Sequence, residues 1–142
     1  MSTATANEGW EIRDPDFVAE VESDVVNRPP GEPLPEGRDG LTLRLSGSAD
    51  MTTRRPLEAL IERLHGRLEA AGASAIRVDL RQLEFMSAAS FNALVGWLSL
   101  VHDLPPERRY RIRFQSNPLI RWQRRSLGAL SCFATDVVAI DP

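Results

Sequence analysis

Lysine is absent from the 142 residues, so every fixed positive charge is one of 17 arginines. An all-arginine cation set follows genomic base composition and carries little functional weight by itself, although guanidinium is the better bidentate ligand for carboxylate and phosphate. Cysteine occurs once, at Cys132, which excludes an internal disulfide and leaves no partner for a cysteine-based metal site. Beside Phe133, this thiol is expected to be a small buried hydrophobe, and no metal or other cofactor is expected. Long apolar runs are missing too. The longest, Leu94 to Val101, has eight residues and is interrupted by Ser99, against the roughly 18 needed to span a bilayer. The segment from Met1 to Trp10 has neither a basic start nor an apolar core, so no secretory signal is read and a cytoplasmic location without membrane attachment is expected.

Catalytic signatures are equally scarce. No G-x-S-x-G elbow, P-loop or G-x-G-x-x-G is present. There are two histidines, His65 and His102. Ser87 precedes His102 by fifteen residues, roughly 22 Å along a single helix and too far for a nucleophile and its base. His65 stays open on sequence grounds. Asp50 and Asp79 fall on different strands with no sign of convergence, so a non-enzyme is expected.

What is present is ordinary globular material. Hydrophobic residues make up 42% and charged residues 26%, which suits one packed domain with an extension rather than a disordered or coiled-coil chain. The charge is unevenly placed. Residues 1–39 hold ten acids against three arginines, whereas residues 40–142 hold the other ten acids and fourteen arginines. The boundary is Asn27-Arg-Pro-Pro-Gly-Glu-Pro-Leu-Pro-Glu-Gly-Arg-Asp-Gly40, a linker by its proline and glycine content. We therefore expect an acidic arm and linker over 1–39 and a folded domain over 40–142. Within the arm, Trp10-Glu-Ile12 and Phe17 to Val21 suit either a short strand or helical turn docked on the domain, or a mostly disordered acidic segment.

Past the linker the hydrophobic period alternates between two and 3.6 residues. Leu41, Leu43 and Leu45 alternate as in a half-buried strand that Gly47 ends. Leu57, Leu60, Ile61, Leu64 and Leu68 make one helical stripe, with Pro56 in the first turn and Gly72 as C-terminal cap. Ala75 to Leu80 is a second strand, continued irregularly to Met86. Ser87 is a suitable N-cap for a helix carrying Phe91, Leu94, Val95, Leu98 and Val101, which Pro105-Pro106 terminates. Tyr110 to Phe114 is a third strand, Asn117-Pro118 opens a helix lined by Leu119, Trp122, Leu127 and Leu130, and Val137 to Ile140 is the last strand. The order β-α-β-α-β-α-β predicts an α/β domain with a mostly parallel, mixed sheet.

Two stretches carry a family resemblance. Leu45-Ser-Gly47-x-x-Asp50 resembles the strand, glycine and aspartate that open STAS domains, the modules shared by anti-sigma-factor antagonists and sulfate-transporter tails. Asp79-Leu-Arg-Gln-Leu-Glu-Phe-Met86, followed by Ser87-Ala-Ala-Ser-Phe-Asn-Ala-Leu94, is similar to the family's strand ending in Asp-Ser-Ser-Gly and the helix after it. The resemblance covers about residues 41–140. It implies a regulatory module that binds a serine kinase of the anti-sigma-factor type, a PP2C-type phosphatase, a cyclase or another STAS protein; self-association into a homo-oligomer is a further option.

The same alignment exposes a departure. The serine that accepts phosphate in such antagonists falls on Ala89, with Ser87 in the aspartate column, Ala88 in the first serine column and Ser90 in the glycine column. A gapped alignment with STAS-like regulators of a diguanylate cyclase moves the acceptor to Ala88 or Ser87. The resemblance thus implies a switch surface of Asp50, Ser87, Ala88, Ala89, Ser90 and Asn92. Ser87 and Ser90 are candidate phosphoacceptors, since a helix N-terminus tolerates phosphate. With Ala89 in the acceptor column, a binder locked in its unphosphorylated form is the bolder expectation.

A second feature is cationic. Arg108, Arg109, Arg111, Arg113, Arg121, Arg124 and Arg125 fall within eighteen residues that contain no acid. They are expected to form a basic surface that neutralises the acidic arm or grips an acidic partner. Interleaved Tyr110, Phe114 and Trp122 superficially suit single-stranded nucleic acid, but their alternation and helical spacing place them in the core. The sequence therefore points to partner-protein binding, with a nucleotide or small-anion sensor as the alternative and nucleic-acid binding less favoured.

Overall fold

Alternation at Leu41, Leu43 and Leu45 does produce a strand, β3 (Thr42–Ala49), but Gly47 does not end it. Its φ is +91°, and a side chain there would collide with the carbonyl of Asp16, which accepts a 2.7 Å hydrogen bond from Ser48 N. Only glycine admits that close approach in a left-handed conformation. The segment making the approach belongs to the acidic N-terminal stretch. Residues 10–22 and 41–141 are those described by the structure, a computed structural model; the linker read over residues 27–40 lies outside them.

Strands β1 (Glu11–Arg13) and β2 (Phe17–Glu22) form an antiparallel hairpin, and β2 runs antiparallel to β3 with Ala19 opposite Leu45 and Phe17 opposite Gly47. Of the two readings of this stretch, the strand is the one observed. Phe17 and Ala19 are buried in the core. Trp10 lies 5.1 Å from the Arg63 guanidinium, a cation–π contact that brings the hairpin against the first helix.

The rest follows the expected alternation. Helix α1 (Arg54–Ala71) buries the predicted stripe from Leu57 to Leu68 and ends at Gly72 in the left-handed region, φ +66°. Strand β4 (Ala75–Met86), helix α2 (Ala88–His102), strand β5 (Arg111–Gln115), helix α3 (Arg121–Phe133) and strand β6 (Val138–Asp141) complete the chain. Strands β3 to β6 are parallel, and the six-stranded sheet keeps chain order, β1-β2-β3-β4-β5-β6. Sequential parallel strands joined by right-handed crossovers put successive helices on one face. There Leu43, Leu45, Ile76, Val78, Ile112 and Phe114 meet Leu57, Leu64, Leu94, Trp97 and Leu127 in one core. The opposite face is polar: the register aligns Glu20, Arg44, Asp79, Gln115 and Asp141 in a row across the strands.

Two local expectations are corrected. Helix α3 does not begin at Asn117-Pro118. Asn117 Oδ1 accepts from Leu119 N at 2.9 Å and its amide donates to Arg81 O at 3.0 Å, so the residue builds a side-chain-stabilised turn instead. Leu119 is 87% exposed and Trp122 only half-buried. Cys132 is not a buried hydrophobe but exposed, as is Phe133. The inward stripe of α3 is Gln123, Leu127 and Leu130, and positions 132 and 133 fall off it.

Candidate functional site

The C-terminal ends of β3 and β4 bring Asp50 and the start of α2 together. The backbone of Ser87 donates to Ala49 O at 2.7 Å, holding the two chain segments side by side. Ser87 caps α2, its Oγ accepting from Ser90 N at 3.1 Å, which satisfies one of the donors a helix start leaves open. Ser90 is fully buried, and its hydroxyl donates to Asp50 O at 2.6 Å. Two motifs forty residues apart in sequence are thereby fixed to each other.

Asp50 itself is exposed and organises the turn that follows β3. Its Oδ1 accepts from Thr52 Oγ1 at 2.6 Å and Thr52 N at 2.9 Å, and its carbonyl accepts from Thr53 N at 3.0 Å. The Thr52 hydroxyl, then the Thr52 amide, hold the Asp50 carboxyl below the usual carboxylate range. The turn it stabilises presents Met51 with 72% of its surface exposed.

Ala88 and Asn92 are exposed on α2, Ser87 and Ala89 half-buried. At the end of β4, Phe85 is 51% exposed. Its register partner is Ser48, just past a shift in the β3–β4 pairing. Met51, next to Asp50, and Phe85, two residues before Ser87, are thus exposed apolar side chains adjoining the junction in the chain. Sequence reasoning missed Phe85 because the β4 alternation breaks after Leu80, where Arg81 and Gln82 are both exposed. Two successive polar residues in an otherwise alternating strand were the available signal.

The two serines differ in burial. Ser87 is half-buried with its Oγ accepting the cap bond, whereas Ser90 is fully buried with its Oγ donating to Asp50 O. Neither histidine serves this site. His65 Nδ1 lies 2.7 Å from Tyr110 Oη, which also accepts from Trp97 Nε1 at 2.8 Å, while His102 Nε2 lies 3.2 Å from Asp136. Among the described residues no cluster of His, Cys, Asp and Glu is arranged to hold a metal, and no helix is long and apolar enough to cross a membrane.

The seven arginines are not brought to one place. Arg108 pairs with Glu69 and Arg109 reaches Asp136 and the carbonyls of His102 and Leu104. Arg111 and Arg113 alternate with buried Ile112 and Phe114 and so lie on the polar sheet face, where Arg113 meets Asp141 at 3.3 Å. Arg121, Arg124 and Arg125 lie exposed on α3. The three described glutamates of the N-terminal stretch are spent elsewhere, Glu11 and Glu20 on Arg13 and Glu22 on Arg44. That hairpin occupies the sheet edge opposite β6. Tyr110 and Phe114 are buried as expected, and Trp122 Nε1 donates to Glu84 O at 2.9 Å.

No protein-family model matches the sequence, and no curated protein does. Among solved structures, an anti-sigma factor antagonist from Mycobacterium paratuberculosis is similar over 92% of this chain and 91% of its own, with a TM-score of 0.54 and 19% sequence identity. The STAS-like resemblance read from the Asp50 and Ser87 segments is thus matched at the level of the whole fold: this chain is an α/β domain with the STAS fold of an anti-sigma factor antagonist.

Proposed function

We propose that this protein is a non-catalytic regulatory module that works by binding another protein through the surface around Asp50, Ser87, Ala88, Ala89 and Asn92. The observation that carries the reading is the exposure of two large apolar side chains next to this junction in the chain, Met51 after Asp50 and Phe85 two residues before Ser87. Large apolar side chains held at the surface by a turn and a strand end are what a partner-protein interface uses. The Ser90–Asp50 bond keeps the two halves in register. The fold shared with an anti-sigma factor antagonist makes a serine kinase of the anti-sigma type, a PP2C-type phosphatase, a cyclase or a second STAS protein the partner class.

Switching by phosphate is confined to Ser87. Ala89 lacks a hydroxyl, and the Ser90 hydroxyl is buried and committed. If Ser87 is unmodified in cells, the module is a constitutive binder. Affinity capture from the native host, with nuclease treatment, tests this by comparing the wild type with Phe85→Asp. Recovery of a kinase, phosphatase, cyclase or STAS protein by the wild type and its loss from the variant supports the reading. Identical recoveries, or only nuclease-sensitive ribonucleoproteins, overturn it.

A further inference from the structure

A second surface lies along α3, apart from the Asp50–Ser87 junction. Three of the seven clustered arginines have structural carboxylate partners: Arg108 with Glu69, Arg109 with Asp136, Arg113 with Asp141. Arg121, Arg124 and Arg125 are exposed and, among the described residues, meet no carboxylate. At positions i, i+3 and i+4 they share one side of the helix. Beside them, between α3 and the end of β6, is a cleft of about 220 Å³. Its walls are Leu127, Gly128, Ile140 and Pro118, with Arg124 and Ser116 at its polar margin. Gly128 keeps it open, since the space where its side chain would be holds no atom within 4 Å. A cavity of roughly 150 Å³ already accepts a benzene-sized ring.

From this arrangement we infer that α3 and the β6 edge bind a short acidic segment of a partner protein, with one apolar side chain seated in the cleft and flanking carboxylates on Arg121, Arg124 and Arg125. Charge complementarity selects the acid, and the apolar walls select a side chain. Leu119, 87% exposed in the turn before α3, extends the apolar contact. A nucleic acid fits less well. Of the aromatics interleaved with the arginines, Tyr110 and Phe114 are buried and Trp122 is half-buried and tied to Glu84 O, which leaves exposed Phe133 alone at the far end of α3 rather than a row of stacking platforms. This inference stands independently of the α2 surface.

The test uses the full chain and a short fluorescein-labelled peptide of alternating Asp and Glu around one central Phe, read by anisotropy at physiological salt. Three changes are each expected to weaken binding about tenfold: Phe to Ala in the peptide, Gly128→Leu, which fills the cleft, and Arg124→Glu. Gly128→Leu replaces a helix-interior glycine with a stronger helix former, so it keeps the fold. Phe85→Asp, on the other surface, is expected to leave peptide affinity unchanged. The inference is overturned by undetectable peptide binding, by affinity insensitive to Gly128→Leu, or by oligothymidylate of equal charge competing as well as the peptide. A loss in Phe85→Asp without one in Gly128→Leu also overturns it, by moving the peptide to the α2 surface.

Discussion

The hydroxyl of Ser90 donates a 2.6 Å hydrogen bond to the carbonyl of Asp50, from a fully buried position in the first turn of α2. The bond links the turn after β3 to a helix start that the chain reaches only after another helix and strand. Ser90→Ala removes it while Thr53 N continues to satisfy the same carbonyl. The expected cost is about 1 kcal/mol, or a fall in Tm of about 3 °C. Partner capture should fall with it, because Met51 loses its anchorage to α2. Ser87→Ala costs a similar amount through the lost cap but leaves the Asp50 contact in place. Urea melts of the two variants beside capture assays separate these effects: equal capture by both would detach the Ser90–Asp50 bond from binding.

Gln123 is a buried polar side chain with every bond directed at backbone. It is fully buried; its Oε1 accepts from Asn117 N at 2.8 Å and its Nε2 donates to Leu80 O and Leu83 O at 2.6 and 3.0 Å. The two donated bonds staple the start of α3 to β4, and the accepted one holds the Asn117 turn against the helix. Gln123→Met, which keeps the length and removes the amide, is expected to cost about 3 kcal/mol, at about 1 kcal/mol per buried bond lost. Chemical denaturation measures it directly, and a cost below about 0.5 kcal/mol, the size of an unremarkable surface change, would show that the backbone groups find other partners.

The sequence reading succeeded where one periodicity governed a whole element. The stripe of α1, the Gly72 cap and the alternation of Ile112 and Phe114 each follow from local sterics and burial, and local rules determine them. It failed where long-range contacts override the local signal. Gly47 looks like a strand terminator until the Asp16 carbonyl is seen against it. Asn117 looks like a helix cap until its amide is seen bonded to Arg81 O. In the candidate site, Asp50 and Ser87 were legible from motif and capping chemistry. Met51 and Phe85 were not: Phe85 lies just past a register shift between β3 and β4, and Met51 sits in a turn that no hydrophobic period governs. The single arginine cluster dissolved for a related reason: neighbours in sequence were sent to different faces by a strand, a turn and a helix.

Asp79 gives the acid limb of stability a specific source. Only 3% exposed on the polar sheet face, it accepts from Arg81 Nη2 at 2.9 Å and from Arg44 Nε at 3.3 Å. The Arg81 guanidinium, opposed by burial and helped by the Arg81 amide and by Arg44, lowers its pKa from 3.8 to about 2. A carboxylate with a depressed folded-state pKa stabilises the fold fully above its unfolded value and loses that contribution as pH falls from 3.8 toward about 2. Asp79→Asn lacks this titration. The stability gap between wild type and variant, taken from urea midpoints, is therefore expected to be widest near neutral pH and to narrow steadily between pH 3.8 and about 2. A constant gap would place the acid sensitivity elsewhere.

His65 makes a distinct prediction nearer neutrality. Trp97 Nε1 only donates, so Tyr110 Oη accepts from it at 2.8 Å, and the same hydroxyl lies 2.7 Å from His65 Nδ1. A neutral imidazole with its proton on Nε2 accepts the Tyr110 proton at Nδ1. Burial lowers the His65 pKa below 6.5, against the opposing charge of Glu69 one turn along α1, itself paired with Arg108. Burial likewise pushes the Tyr110 hydroxyl up, keeping it protonated as the donor. The sign follows from linkage: the unfolded chain binds the proton more readily, so stability is full above pH 6.5 and declines as pH falls from 6.5 toward the lower folded-state pKa. His65→Gln retains an acceptor for Tyr110 without a titrating group. Its stability is expected to be flatter than that of the wild type just below pH 6.5, with its Trp97 fluorescence unchanged over the same interval. Parallel slopes for the two proteins would mean that protonated His65 is accommodated, and that the Tyr110 hydroxyl has another acceptor when the imidazole is charged.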